Sequence, residues 1–192
     1  MKARSLKVAM AAKPSTVLPQ PHTLSSSTAP KISQEIDPLY ASETLAVLQN
    51  FGINESLPQT SHANGFFSEF TRSFINVDRV ERGRIICTVS VKPPISNYFD
   101  TLHGGGLASV AELISIACAR TVVAEDKQIF LGEISMSYLS GAPVTAEVTA
   151  DASVVKSGRN LTVVVLEFKL KKTEKLIYKG HATFYNYPLA KL

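Results

Sequence analysis

Asn97-Tyr98-Phe99-Asp100-Thr101-Leu102-His103-Gly104-Gly105-Gly106 joins, without a break, a nearly all-apolar run from Leu107 to Val123 that holds one carboxylate, Glu112. The three glycines remove side chains where a helix begins, so its free backbone N–H groups can face a partly negative oxygen without steric cover. Glu112 lies two turns further on, and its neighbours at three and four residues are Ala108, Ser109, Ser115 and Ile116. The acid therefore stands on a small, apolar helix face and is expected to be partly desolvated, with its basicity raised. A polar loop, N–H donors at a helix start and one carboxylate read together as an active site, and an oxyanion or a phosphate would suit the helix start.

Other chemistries fit less well. The four histidines, His22, His62, His103 and His181, are scattered without ligand spacing, so no metal site is expected. Cys87 and Cys118 lack CxxC or CxxH spacing and read as buried free thiols of a reducing compartment. The net charge of +4 owes much to Lys2, Arg4, Lys7, Lys13 and Lys31, which all precede the first acid, Glu35; the rest is close to neutral, and nucleic-acid binding has little support. Leu107 to Val123 is short for a membrane span and is interrupted by Glu112 and Arg120.

These 192 residues allow one domain with tails, and 45% hydrophobic content allows a substantial core. Residues 1–36 read as a disordered extension, rich in Ser, Thr, Pro, Lys and Ala, with the composition of a transit segment. Residues 37–187 form the expected domain, and 188–192 a flexible tail. Asp37-Pro38 opens a helix over Pro38 to Asn50, with Leu39, Leu45, Leu48 and Phe51 as its apolar stripe and Gly52 as its end. Strands are expected at Phe66 to Val77 and Arg84 to Val91, hinged at Gly83; Ile85, Cys87, Val89 and Val91 share the core face of the second. After the central helix come Ile129 to Leu139, Ala146 to Val155, Leu161 to Leu170 and Leu176 to Tyr185, joined by hairpin-sized connections that predict antiparallel neighbours. In Leu161 to Leu170 the face Thr162, Val164, Leu166, Phe168 and Leu170 suits a core, while Glu167 and Lys169 face out. The predicted class is α+β, a long central helix wrapped by a twisted antiparallel sheet.

With Asn97 six residues before the HGG and Glu112 nine after its histidine, the stretch from about Asp37 to Tyr187 resembles the hot-dog-fold thioesterases of the small acyl-CoA and 4-hydroxybenzoyl-CoA group. The resemblance implies dimers joined edge to edge, or dimers of dimers, with active sites shared across the interface. It implies that Glu112 activates water or attacks the thioester, that the Gly104 N–H polarises the carbonyl, that Asn97 of a partner's loop positions water or thioester, and that His103 steadies the loop. It further implies that Lys156, Ser157, Gly158 and Arg159 hold coenzyme A phosphates, with Tyr138, Leu139 and Ser140 in the same groove. Coenzyme A is then part of the substrate, and no separate cofactor is implied. The sequence departs from its relatives at Leu131 and Ile116, where different subgroups carry a hydroxyl; Ser115 points about 100° away from Ile116 around the helix.

The expected activity is acyl-CoA hydrolysis to a free acid and coenzyme A. The rivals are a hot-dog protein that binds acyl-CoA or a fatty acid without turnover, and an acyl-CoA dehydratase or hydratase, which wants an Asp/His pair on the helix. Ala190-Lys191-Leu192 is close to the Ser-Lys-Leu address read by the peroxisomal import receptor, so a peroxisome is expected ahead of a chloroplast or mitochondrion.

Overall fold

A computed structural model describes residues 31–50 and 58–188. The transit reading of the first residues, the Phe51–Gly52 helix end and the Ala190-Lys191-Leu192 signal all fall outside them. The described residues fall into two units, one within Met1–Leu57 and one within Pro58–Leu192. In the first, helix α1 (Pro38–Asn50) has the expected bounds, and the Leu39 N–H donates to Asp37 Oδ1 at 2.8 Å, the bond of an N-cap. Leu39, Tyr40 and Val47 on this helix are exposed.

The second unit is built from α2 (Phe66–Arg72), β1 (Ile75–Glu81), β2 (Arg84–Ser90), α3 (Gly104–Arg120), β3 (Lys127–Tyr138), β4 (Glu147–Ser157), β5 (Leu161–Leu170) and β6 (Leu176–Pro188). Phe66–Arg72 corrects the expected first strand. Its phenyl rings repeat at four residues, not two, and pack as a ladder: Phe66 on Phe70 with centroids 5.9 Å apart, and Phe70 edge-on to Phe74 at 5.0 Å. β1 then turns tightly into β2 through Gly83, whose φ of +79° lies in the left-handed region that favours glycine.

All six strands pair antiparallel in the order β1-β2-β4-β5-β6-β3. The β4–β5 and β5–β6 connections are hairpins, as their length predicts. The β3–β4 connection is not. β3 instead pairs along the 13-residue β6, from Lys127 opposite Pro188 to Tyr138 opposite Tyr178. Residues 139–146 therefore carry the chain from the sheet's edge to its interior, and a connection's length does not fix which strand its neighbour pairs with.

α3 lies on one face of this sheet. Leu107, Val110, Ala111, Ile114, Cys118 and Ala119 are buried in the core cluster with Val89, Ala150, Ala152, Leu166, Phe168, Ala182 and Phe184. The alternation read in β2 and β5 holds: Ile85, Cys87, Val89 and Val91 are buried, as are Thr162, Val164, Leu166 and Phe168. Among the described residues no helix is long and apolar enough to cross a membrane.

The expected free thiols are both buried. Burial pushes each up to about 11, and the Cys118 thiol donates to the Ala152 carbonyl at 3.3 Å. At pH 8 each then holds on the order of a thousandth of its population as thiolate. The native protein is expected to react with a disulfide reagent at least about 100-fold more slowly than a free thiol, and both cysteines to react at once in denaturant. Rapid native labelling of either would contradict this packing.

Candidate active site

Three of the first four N–H groups of α3 are already satisfied. His103, the N-cap, accepts from Gly105 N–H at 3.0 Å and Gly106 N–H at 3.4 Å through Nδ1, while its carbonyl takes the Leu107 N–H at 2.9 Å. Only the Gly104 N–H has no acceptor among the described residues. The glycine cluster thus offers one donor, not several, at the positive end of a 17-residue helix. A donor held by the backbone beside such an end stabilises a developing oxyanion without reorganising.

The cluster is also sterically required. A Cβ at Gly106 would come within 2.8 Å of the Ile95 side chain, and one at Gly104 within 3.3 Å of the Tyr138 ring. Tyr138 closes over this spot and donates its hydroxyl to the Gly104 carbonyl at 3.0 Å. Beside it, Leu139 and Ser140 donate their N–H groups to the Ile177 carbonyl at 2.9 and 3.1 Å, and Lys175 Nζ donates to Ser140 Oγ at 3.4 Å. Buried Tyr178 accepts the Ala142 N–H at 2.9 Å; burial raises its phenol above the ordinary range. Sequence reasoning passed over Tyr178, which reads as one more apolar residue of β6.

Asn97 turns its amide oxygen inward. Oδ1 accepts from Phe99 N–H at 2.9 Å, Thr101 N–H at 3.2 Å and Thr101 Oγ1 at 3.1 Å, an Asx-type clamp that holds Asp100 at φ 55°. The loop is stitched further by Leu102 N–H to the Ala142 carbonyl at 2.8 Å and His103 N–H to the Ile95 carbonyl at 2.9 Å. Asn97 Nδ2 is left as its outward donor.

Glu112 departs from expectation. It is exposed, and its carboxylate makes no hydrogen bond or ion pair among the described residues, so the partial desolvation predicted for it is absent among them. The sheet covers only one side of α3. The side carrying Ala108, Glu112, Ile116 and Arg120 faces away from it, with Glu112 and Arg120 exposed and the other two half-buried. Ser115, by contrast, is fully buried and spends its hydroxyl on the Ala111 and Glu112 carbonyls at 2.7 and 3.0 Å. It does not substitute for the hydroxyl missing at Ile116; Leu131 is half-buried.

Lys156, Ser157, Gly158 and Arg159 are exposed on the β4–β5 hairpin. Gly158 N–H donates to the Leu161 carbonyl at 2.8 Å, Asn186 Nδ2 to the Gly158 carbonyl at 3.0 Å, and Lys127 Nζ to the Arg159 carbonyl at 2.9 Å. The last bond ties the hairpin to the start of β3, whereas Tyr138 stands at its end, roughly 36 Å away along a strand at about 3.3 Å per residue. Within one chain, then, Asn97, His103, Gly104 and Tyr138–Ser140 gather at one end of the sheet, and Lys156–Arg159 stand at the other. Glu112 sits about 12 Å along the helix from Gly104, at about 1.5 Å per residue.

Comparison with known proteins agrees with this architecture. Residues 99–177 match the family described as the Thioesterase superfamily. A Caenorhabditis elegans protein named as an esterase is 32% identical over 104 residues, 54% of this chain and 61% of that protein, so the chain spans about three-fifths of this relative's length. Human acyl-coenzyme A thioesterase 13 is 28% identical over 101 residues, covering 53% of this chain and 71% of the human one. Among solved structures, zebra fish thioesterase superfamily member 2 superimposes with a TM-score of 0.59 at 24% identity, covering 66% of this chain and 89% of its own. A Haemophilus influenzae thioesterase reaches the same TM-score at 22% identity, covering 71% and 96%.

The fold is the hot-dog fold of these solved thioesterases, and residues 99–177 are similar to the Thioesterase superfamily.

The Asn97 clamp separates two roles that a single substitution would confound. Asn97→Ala removes all three Oδ1 bonds and is expected to cost about 1–2 kcal/mol in urea unfolding. Asn97→Asp keeps an acceptor oxygen and is expected to stay within about 0.5 kcal/mol of the parent while losing the Nδ2 donor. Equal losses in the two variants would show that the clamp does not hold the loop.

Proposed function

We propose that the protein is an acyl-CoA thioesterase that hydrolyses the thioester to a free acid and coenzyme A. The observation that carries this reading is the Gly104 N–H, the one unfilled donor at the start of α3, framed by Tyr138 and the clamped Asn97 loop. In this reading the thioester oxygen accepts from Gly104 N–H, and the charge that builds as the carbon is attacked is stabilised there. Glu112 takes a proton from the attacking water, or attacks the carbon itself to form a mixed anhydride that water then opens, releasing the acid and restoring the carboxylate. The carbon–sulfur bond breaks, the proton ends on the departing thiol, and water's oxygen ends in the acid. Asn97 Nδ2 donates to the water or the thioester, and His103 keeps the competing N–H groups occupied.

Geometry constrains how these groups meet. A donor and a base about 12 Å apart along one helix do not reach the same carbonyl, so the reading pairs Gly104 and Asn97 of one protomer with the carboxylate of a second. Contact with that second copy also supplies the cover that Glu112 lacks in the single chain. The same assembly is required for Lys156–Arg159 to hold phosphates of a ligand whose thioester lies at Gly104. A second reading, acyl-CoA binding without turnover, draws on the committed hydroxyl of Ser115 and on Leu131 and Ile116 where relatives carry hydroxyls.

Glu112→Gln separates the two readings. The amide keeps the shape but neither accepts a proton nor attacks, so release of free thiol from acyl-CoA is expected to fall on the order of 100-fold or more, with unfolding stability unchanged. Retained turnover would remove Glu112 from the reaction, and absence of thiol release from the parent protein across short, long and aromatic acyl-CoAs would favour the binding reading.

A further inference from the structure

The sheet face opposite α3 sets a serine, a histidine and a glutamate in a row. Ala182 and Phe184 of β6 are buried in the core, so His181 and Thr183, which alternate with them, face the other way. The register places Ser135 of β3 opposite His181, and Glu133 opposite Thr183. Two backbone devices bring these side chains together. A Cβ at Gly180 would come within 2.8 Å of the Ser135 carbonyl, so glycine lets β6 lie close to β3 just before His181. A bulge at Gly132 then shifts the pairing: Leu131 stands opposite buried Phe184, whereas Glu133 stands opposite outward-facing Thr183. Without the extra residue Leu131 and Glu133 would share a face. Bulges re-aim side chains in this way, and here the carboxylate is turned to the face that carries Ser135.

Ser135 Oγ lies 2.9 Å from His181 Nδ1. In the tautomer whose hydrogen is on Nε2, the imidazole accepts the serine O–H and turns its own N–H toward Glu133 Oε1, 4.0 Å away. This is the order nucleophile, base, orienting carboxylate, and such contacts are often long before a ligand closes them. Neither the Ser135 hydroxyl nor the Glu133 carboxylate has another partner among the described residues. The row is open to a reagent, since the side chains of His181 and Glu133 are 45% and 66% exposed. A positive charge stands beside it. Lys179, on the same face of β6, lies about 7 Å along the strand from His181. Its ammonium has no partner among the described residues, while Glu167, opposite it on β5, is held by Lys169 at 3.1 Å. Half-buried Val165, opposite His181 on β5, gives the row an apolar floor.

We propose that Ser135 is the nucleophile of a second centre, which cleaves small carboxylic oxygen esters on the sheet face away from Glu112 and the Gly104 N–H. Ser135 Oγ attacks the carbonyl carbon, and its proton passes to His181 Nδ1. The imidazolium so formed turns its Nε2–H to Glu133, and Lys179 faces the charge on the carbonyl oxygen. The carbon–oxygen bond to the alcohol or phenol breaks, and the leaving oxygen takes the proton from Nδ1. Water, giving a proton to His181, then opens the serine ester, releasing the acid and restoring Ser135. A single valine floor suits a short acyl group and not a long chain. One solvated ammonium stabilises the oxyanion less than buried donors do, so the esters it suits are those with a good leaving group, such as a phenol. The centre draws on none of the residues of the thioesterase reading.

The test uses the full chain and two probes. An alkyl fluorophosphonate is incubated with the parent protein, Ser135→Ala and His181→Gln, and adducts are located by peptide mass spectrometry. In parallel, p-nitrophenyl acetate is mixed rapidly with each. The parent is expected to take up one phosphonyl group, on Ser135, with loss of fluoride, and to release a burst of p-nitrophenol matched by an acetyl group on Ser135. His181→Gln keeps the serine on its strand but removes the base, and is expected to slow both reactions at Ser135 at least about 100-fold. Ser135→Ala is expected to abolish both. A parent protein whose Ser135 stays unmodified by either probe, or labelling of Ser135 undiminished in His181→Gln, would overturn the proposal.

Discussion

A helix start exposes four N–H groups, and the chemistry available there depends on which of them the protein itself has already used. Here an imidazole nitrogen takes two and a carbonyl a third, all from His103, so that a single N–H, that of Gly104, remains. Everything else at this end of the sheet is arranged around that selection. The glycines permit the imidazole and the Tyr138 ring to approach, Asn97 Oδ1 folds the preceding loop so that His103 arrives in register, and Tyr178 fixes the segment that carries Tyr138 toward the helix.

The hot-dog arrangement explains why this end of α3 can be specialised while its middle stays open. One face of the helix is filled by Leu107, Val110, Ile114 and Cys118 against a sheet whose long strands curve beneath it. Among the described residues no such cover reaches Glu112. In the proposed reading a second copy excludes water from this glutamate, so the single chain need not bury its charge.

Much of this was legible in the sequence, and the reasons differ by element. Strict alternation in Arg84 to Val91 and Leu161 to Leu170 identified the buried faces, because a period of two leaves no other face for the core. The Asn97-to-Glu112 window identified the loop and helix, since glycines and an N-capping histidine are local devices. Phe66–Arg72 misled because aromatic content suggests a strand, although the four-residue spacing of Phe66, Phe70 and Phe74 was the better signal. Partnering was the harder matter. Nothing in the residues of β3 distinguishes pairing with β6 from pairing with β4, and nothing in a helix's periodicity tells whether an acid on its outer stripe is covered.

In the proposed mechanism the donor and the base act from different protomers. Asn97→Ala and Glu112→Gln, each purified inactive, can be mixed under conditions where subunit exchange is demonstrated by mass-tagged chains. With random exchange in a two-fold dimer, half of the molecules are hybrids with one intact site of two, so thiol release from acyl-CoA should return to roughly a quarter of the parent rate. Full subunit exchange with no recovery of thiol release would place the reacting groups of each site within one chain.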